Sequence, residues 1–183
     1  MNNSNVRIFR WLLQIIIPMM LGVSIQDAAA HASLEQETAI SGSSYRGVLR
    51  ITHGCNGSPT VTVRVRLPEG VTRTKPMPKP GWQLETVIVK LETSYERNDA
   101  LITEDVAELI WSGGSLPDDF FDEFVFRADL PETDEEKTLY FRTVQECENG
   151  EFHRWIEIPG PGEISDDFRE PAPALILLPG EGV

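Results

Sequence analysis

The segment Val61–Leu67 constrains the fold most, because its residues alternate strictly between apolar and polar types. Apolar residues recur at every second position, with Thr62, Arg64 and Arg66 between them. Successive side chains of a β-strand point to opposite faces, so this pattern predicts a strand with one buried face. No segment after residue 30 has a helical period of useful length.

Further β-rich segments, bounded by Gly, Pro, Asn and Asp, lie on both sides of this strand. They are Tyr45–Thr52, Trp82–Leu91, Glu104–Trp111, Glu123–Ala128, Thr138–Val144, Phe152–Ile158 and Ala174–Leu178. Roughly eight or nine short strands with turn residues between them are typical of an all-β, antiparallel β-sandwich. We expect Trp82 and Trp111 to be core residues on these strands.

The N-terminal residues have the order of a secretory signal peptide. Two arginines precede an apolar run, Trp11–Ile25, and Ala28 and Ala30 form an A-x-A cleavage site. The run is short and interrupted for a transmembrane helix, which needs about 20 mostly apolar residues. We therefore predict that residues 1–30 are removed on export, and that residues 31–178 form one domain in the periplasm or outside the cell.

The charge balance is strongly acidic. The chain has a net charge of −13, to which residues 1–30 contribute +1, so the remaining residues carry −14. Nucleic-acid binding needs positive charge to neutralise phosphates, so this composition argues against a nucleic-acid partner. It also argues against an anionic membrane surface, and we expect no membrane association after cleavage.

Cleavage after Ala30 would make His31 the first residue of the mature protein. Its free α-amine and its imidazole Nδ1 could then close a chelate ring on one metal ion. Imidazole nitrogen and tetragonal nitrogen and oxygen coordination suit Cu(II). The sequence therefore predicts a Cu(II) site built on His31.

Cys55 and Cys147 are the only cysteines. Disulfides persist in exported proteins, so an even pair predicts a bridge. The alternative, a thiolate ligand for copper, is disfavoured by the oxidising compartment. Bridged Cα atoms lie about 4.4–6.8 Å apart, so the bridge would bring His53 close to the strand that carries Trp155.

These positions predict His53 as a further imidazole ligand, within reach of the strand that carries Trp155. Considered alone, His53 would be a polar residue at a loop end and Trp155 a core residue. His153 shares a strand face with Trp155, but we expect it at the surface. Glu35, Glu146 or a water molecule could fill the fourth equatorial position.

Several segments of the chain resemble the YcnI-like copper-binding domain family. They are His31–Glu35, Thr52–Gly57, Val63–Gly70, Lys75–Trp82, Ile110–Gly114, Leu116–Phe124 and Val144–Cys147. Together they extend the resemblance from His31 to about Leu178. Any one of them alone would be weak evidence, but in combination they are specific.

The resemblance implies an exported, immunoglobulin-like β-sandwich that binds one Cu(II) through its N-terminal histidine, here His31. It also implies a tryptophan beside the metal, here Trp155. One branch of the family adds a carboxylate ligand after its second strand, where this chain has His53–Gly54, so His53 is expected to replace it. The family often occurs with periplasmic copper chaperones, which implies copper trafficking with such a chaperone as partner.

Three functions remain open at this level. The leading one is a non-enzymatic periplasmic protein that stores or transfers Cu(II). The second is a copper mono-oxygenase of the histidine-brace type, which needs an amine, two imidazoles and an open position for oxygen. An enzyme of this type that oxidises polysaccharides would also need a flat aromatic binding face, and the chain has few aromatic residues outside strand-like segments to form one. The third is a sandwich module that binds a protein partner without a metal.

Overall fold

A computed structural model of the protein describes residues 31–180. The predicted signal peptide, residues 1–30, lies outside the described residues, as do residues 181–183. Within residues 31–180, no helix has the length and hydropathy required to cross a membrane.

The described chain is composed almost entirely of β-strands, which confirms the predicted all-β class. The strands are β1 (Ser33–Leu34), β2 (Thr38–Ile40), β3 (Ser44–Ile51), β4 (Thr60–Arg66), β5 (Thr72–Pro76), β6 (Gln83–Arg97), β7 (Ala100–Leu116), β8 (Asp122–Asp129), β9 (Lys137–Tyr140), β10 (Thr143–Cys147), β11 (Phe152–Trp155) and β12 (Ala174–Leu178). One short 3₁₀ helix, Ser165–Asp167, precedes β12.

The strands form three sheets. A four-stranded sheet has the order β1-β3-β8-β5, a five-stranded sheet has the order β11-β10-β4-β7-β6, and a small sheet has the order β2-β12-β9. The described strand pairs are antiparallel except β2 with β12, which run parallel. The predicted antiparallel sandwich is therefore correct apart from this one pair.

One hydrophobic core joins the sheets. The alternation in β4 places Val63 and Val65 fully inside, against Leu109 and Trp111 of β7. The facing sheet and the small sheet supply further members of the same cluster, among them Leu49, Phe124, Phe126, Leu139, Leu175 and Leu177. Full burial of such a side chain stabilises the fold by about 1.5–3 kcal/mol, so the sandwich depends on this shared core.

The expectation of one strand across Thr138–Val144 was wrong, because the chain changes sheets within it. Phe141 donates its backbone N–H to the Pro173 carbonyl, which lies just before β12. The next residue, Arg142, accepts from the Arg66 N–H at the end of β4. β9 and β10 therefore belong to different sheets, and a chain that crosses from one sheet to another can keep an unbroken β-rich sequence.

The β6–β7 hairpin extends well beyond the two strands predicted there. Its two-residue turn, Asn98–Asp99, has φ values of 47° and 61°, the left-handed region that type I′ hairpin turns require. Trp111 is fully buried within β7, as expected. Trp82 lies just before β6 rather than on it, and packs edge-to-face against Phe124 with ring centroids 5.0 Å apart.

Candidate metal centre

The three histidines of the chain all lie against one indole ring. The centroid of Trp155 is 5.9 Å from that of His31, 6.1 Å from that of His53 and 5.0 Å from that of His153. We call these four residues the histidine cluster. The cluster joins the region of β1 to β11, which are edge strands of different sheets.

His31 lies two residues before the start of β1, and this strand holds it in place. Ala32 and Leu34 are buried in the core. Leu34 pairs with Leu49 of β3, and Glu35 donates its backbone N–H to the Val48 carbonyl at 2.9 Å. The half-buried His31 is therefore attached to the sandwich through a short, well-anchored strand.

A buried glutamine connects the other members of the cluster. Gln145 accepts a hydrogen bond from Trp155 Nε1 at 3.1 Å through its side-chain oxygen. Its amide nitrogen donates to the His53 carbonyl at 2.6 Å and to Thr60 Oγ1 at 2.7 Å. Because the Trp155 N–H is used in this way, the indole presents its ring, rather than its nitrogen, to the histidines.

His53 lies on a loop that is fixed at several points. The Cys55–Cys147 disulfide closes the loop against β10, with its Cα atoms 6.0 Å apart, so the predicted bridge is confirmed. The thiolate alternative is excluded because both cysteines are used. Gly54 donates its N–H to Asp118 Oδ1 at 2.7 Å.

Gly54 also explains why this loop can pass so close to its neighbour. A Cβ atom at this position would lie 2.0 Å from the Ser58 carbonyl oxygen, so a side chain would force the loop open. The close approach makes glycine necessary next to His53.

His153 is the cluster member that sequence reasoning placed wrongly. It is half-buried, and its ring stacks on Trp155 with an interplanar angle of 27°. The alternation of side chains along the strand had indicated that His153 and Trp155 share a face. It did not indicate that this face is the inner one, because that depends on how β11 is paired with the neighbouring strands. β11 pairs His153 with Gln145, and β10 pairs Gln145 with Val63, so His153 lies on the inner face of the sheet.

The two carboxylates considered as a fourth ligand are both engaged elsewhere. Glu35 Oε1 lies 2.7 Å from Arg50 Nη2. Glu146 Oε1 lies 2.9 Å from Arg64 Nε, and as the neighbour of Gln145 along β10 it points to the opposite face. The negative charge of Glu35 also acts on Tyr45. The pKa of the Tyr45 hydroxyl is raised to about 12, mainly by burial and further by the charges of Glu35 and Glu37.

Two carboxylates that the sequence analysis did not consider form hydrogen bonds at the cluster or next to it. Glu170 Oε1 lies 2.8 Å from His153 Nδ1, and Asp118 holds the backbone next to His53. Neither could be found from the sequence, because both lie on segments without regular strand pattern.

Among residues 31–180, no three His, Cys, Asp or Glu side chains form a group able to hold a metal ion. The donor set nevertheless fits copper chemically. Three imidazoles lie around Trp155, with His53 and His153 in direct ring contact, and imidazole nitrogen is a preferred ligand of Cu(II). A terminal amine on His31 would add a further nitrogen beside them.

Comparison with solved structures supports the fold. The chain is similar to an uncharacterized protein from Nocardia farcinica with an immunoglobulin-like fold, at 20% identity and a TM-score of 0.59, over 81% of this chain and 98% of that one. A type II cohesin domain from the cellulosome of Acetivibrio cellulolyticus gives a TM-score of only 0.34, at 13% identity, over 67% and 87% of the two chains. The first likeness confirms the immunoglobulin-like sandwich.

No curated protein matches the sequence. A family model described as a domain of unknown function, DUF1775, matches residues 31–177. This model corresponds to the YcnI-like family that the sequence resembles, and it covers most of the chain. The chain therefore belongs to the DUF1775 family.

Proposed function

We propose that this protein is an exported, non-enzymatic copper-binding protein of the periplasm. After cleavage, it would hold one Cu(II) through the α-amine and imidazole of His31 together with the imidazole of His53. Its role would be copper trafficking or homeostasis, with a periplasmic copper chaperone as partner.

The observation that carries this proposal is the convergence of all three histidines on Trp155. Histidine is the commonest protein ligand for metals, and these residues come from three separate parts of the chain. A sandwich that only bound a protein partner would have no need to bring them together. The absence of a free thiol also favours nitrogen coordination.

The decisive experiment compares two forms of the chain that both begin at His31, one with a free α-amine and one with that amine acetylated. In the acetylated form an amide replaces the amine of His31, so the chelate ring cannot form. We expect the mature form to bind one Cu(II) per chain at least about tenfold more tightly by titration calorimetry. Equal affinity for both forms would refute the proposal.

Two measurements complete this test. N-terminal sequencing of the exported protein should find His31 first. His31→Ala keeps a terminal amine but removes the imidazole, so it separates the contributions of the two nitrogens. Its electron spin resonance spectrum should show fewer coupled nitrogens than that of the mature protein.

A copper mono-oxygenase is a second candidate, favoured by one observation. The loop that carries Asp118 contacts Gly54 and continues into Phe120 and Phe121, which are 62% and 66% exposed. Exposed aromatic rings on the loop that holds the His53 backbone could contact a polysaccharide. Ascorbate- or peroxide-driven oxidation of a polysaccharide panel by the copper-loaded protein would favour this candidate over simple binding.

A further inference from the structure

His153 is held in one orientation by a carboxylate. Glu170 Oε1 lies 2.8 Å from His153 Nδ1, and a carboxylate only accepts hydrogen bonds, so Nδ1 carries the proton. In the neutral ring, the lone pair is therefore on Nε2. Metal-ligating histidines characteristically donate their other ring N–H to a carboxylate or a carbonyl in this way.

Glu170 is itself fixed on both sides. The Oε2 atom of Glu170 accepts a hydrogen bond from the backbone N–H of Arg154 at 2.9 Å. The backbone N–H of Glu170 donates to Glu157 Oε2 at 2.6 Å. The carboxylate is thus clamped between β11 and the segment that leads to β12. Such fixed support is what an orienting partner of a metal ligand requires.

His53 makes a comparable contact through its Nδ1. This nitrogen lies 2.6 Å from the Gly54 carbonyl oxygen, which cannot donate, so Nδ1 is the donor in this contact. In both rings Nδ1 is therefore directed at a protein oxygen, as in metal-ligating histidines that coordinate through Nε2.

The spacing of the two rings fits coordination of one ion. Two imidazoles bound through Nε2 at about 2.0 Å have centroids roughly 4.5–6.3 Å apart, for N–metal–N angles between about 90° and 180°. The centroids of His53 and His153 are 5.3 Å apart, with the rings at 88° to one another. The separation of the two rings is therefore compatible with coordination of one shared ion.

We propose that His153, oriented by Glu170, forms with His53 a two-imidazole pair that binds Cu(II) without help from the N-terminal amine. This inference rests on the proposed function, since it adds a ligand to the same site. The pair is the fixed half of that site, and His31 supplies the other half once the signal peptide is removed. A chain whose His31 amine is acetylated therefore still binds Cu(II), although more weakly than the mature chain.

The test titrates Cu(II) into the chain whose His31 amine is acetylated and into three variants of it. His153→Phe keeps an aromatic ring on Trp155 but removes the nitrogen, and should weaken binding at least about tenfold with fewer coupled nitrogens in the spin-resonance spectrum. Glu170→Gln keeps the shape but removes the charge, and should weaken binding by about tenfold. Glu148→Gln, at an exposed site, is the matched control and should change nothing.

The results separate the two proposals. If the acetylated chain binds no Cu(II), or if His153→Phe leaves its affinity and spectrum unchanged, the imidazole pair is refuted. If the mature chain binds no more tightly than the acetylated one, the role of the His31 amine is refuted instead. Far-ultraviolet circular dichroism of each variant checks that the sandwich is intact, and Glu170→Gln provides a second test should His153→Phe fail to fold.

Discussion

The histidine cluster gathers residues that are far apart in sequence, whereas the hairpin tip, residues 91–103, pairs residues that are close together. In the cluster, the ring of His31 contacts that of Trp155, although β1 and β11 are edge strands of different sheets. In the hairpin tip, Arg97 pairs with Ala100 across a two-residue turn. The two regions also differ in burial, since Trp155 is 3% exposed and Leu101 of the tip is 62% exposed.

The comparison shows which of the two regions is held by contacts between residues that are distant in sequence. The cluster is surrounded by a disulfide, a buried glutamine and the edges of two sheets. The hairpin tip has its own strand pairing and a hydrogen bond from the Tyr95 hydroxyl to Asp105 at 2.9 Å. The histidine cluster therefore lies where several non-local contacts converge, which is the kind of support that a precise arrangement of side chains requires.

Removing the disulfide should have the largest effect on the cluster. Cys55 and Cys147 are 92 residues apart, and closing a loop of that length stabilises the folded state by about 4–5 kcal/mol in the chain-entropy model. We expect the double variant C55S/C147S to lose about this amount in urea unfolding and to bind Cu(II) more weakly, because the His53 loop is released. A loss below about 1 kcal/mol would mean that other contacts fix the loop.

Replacing the buried glutamine should have the next largest effect. Gln145→Leu leaves Trp155 Nε1 and the His53 carbonyl without their partner, and a buried unsatisfied group costs about 1–3 kcal/mol. We expect a total loss of about 2–4 kcal/mol, measured by chemical denaturation. Gln83→Leu, at an exposed position of β6, is the control and should change stability by no more than about 0.5 kcal/mol.

Shortening the hairpin should have the smallest effect. Lys90 and Glu104 are paired in register, so an Asn-Gly turn can join them in place of residues 91–103. We expect a stability loss of about 1 kcal/mol, since a single hydrogen bond such as that of Tyr95 contributes about 0.5–1.5 kcal/mol, and we expect unchanged Cu(II) affinity. A loss as large as that of Gln145→Leu would show that the tip supports the core, and the contrast between the two regions would fail.

Much of the fold could be predicted because its signals are local. The alternation in Val61–Leu67 indicated a half-buried strand, and β4 is indeed half-buried in the five-stranded sheet. The same reasoning failed at Thr138–Val144, since alternation does not reveal that a chain leaves one sheet and enters another. The extent of the β6–β7 hairpin was also missed, because its outer strands have exposed residues on both faces and so carry little pattern.

Half of the candidate site could be inferred for a different reason. A disulfide is a covalent constraint, so pairing Cys55 with Cys147 was enough to bring His53 towards Trp155. No such constraint acts on His153 or Glu170. Their positions depend on the register of β10 with β11 and on the course of the segment before β12.

The sequence by itself determined the β-strand class of this protein, its disulfide and the meeting of His53 with Trp155, because these follow from local side-chain alternation and from one covalent bond. Only the tertiary structure decided that His153 faces inward beside Gln145, that Glu170 fixes its ring, and that Glu35 and Glu146 are paired with arginines instead. Those contacts arise between strands whose pairing is set by the packing of the whole core, and no short segment of the chain contains that information.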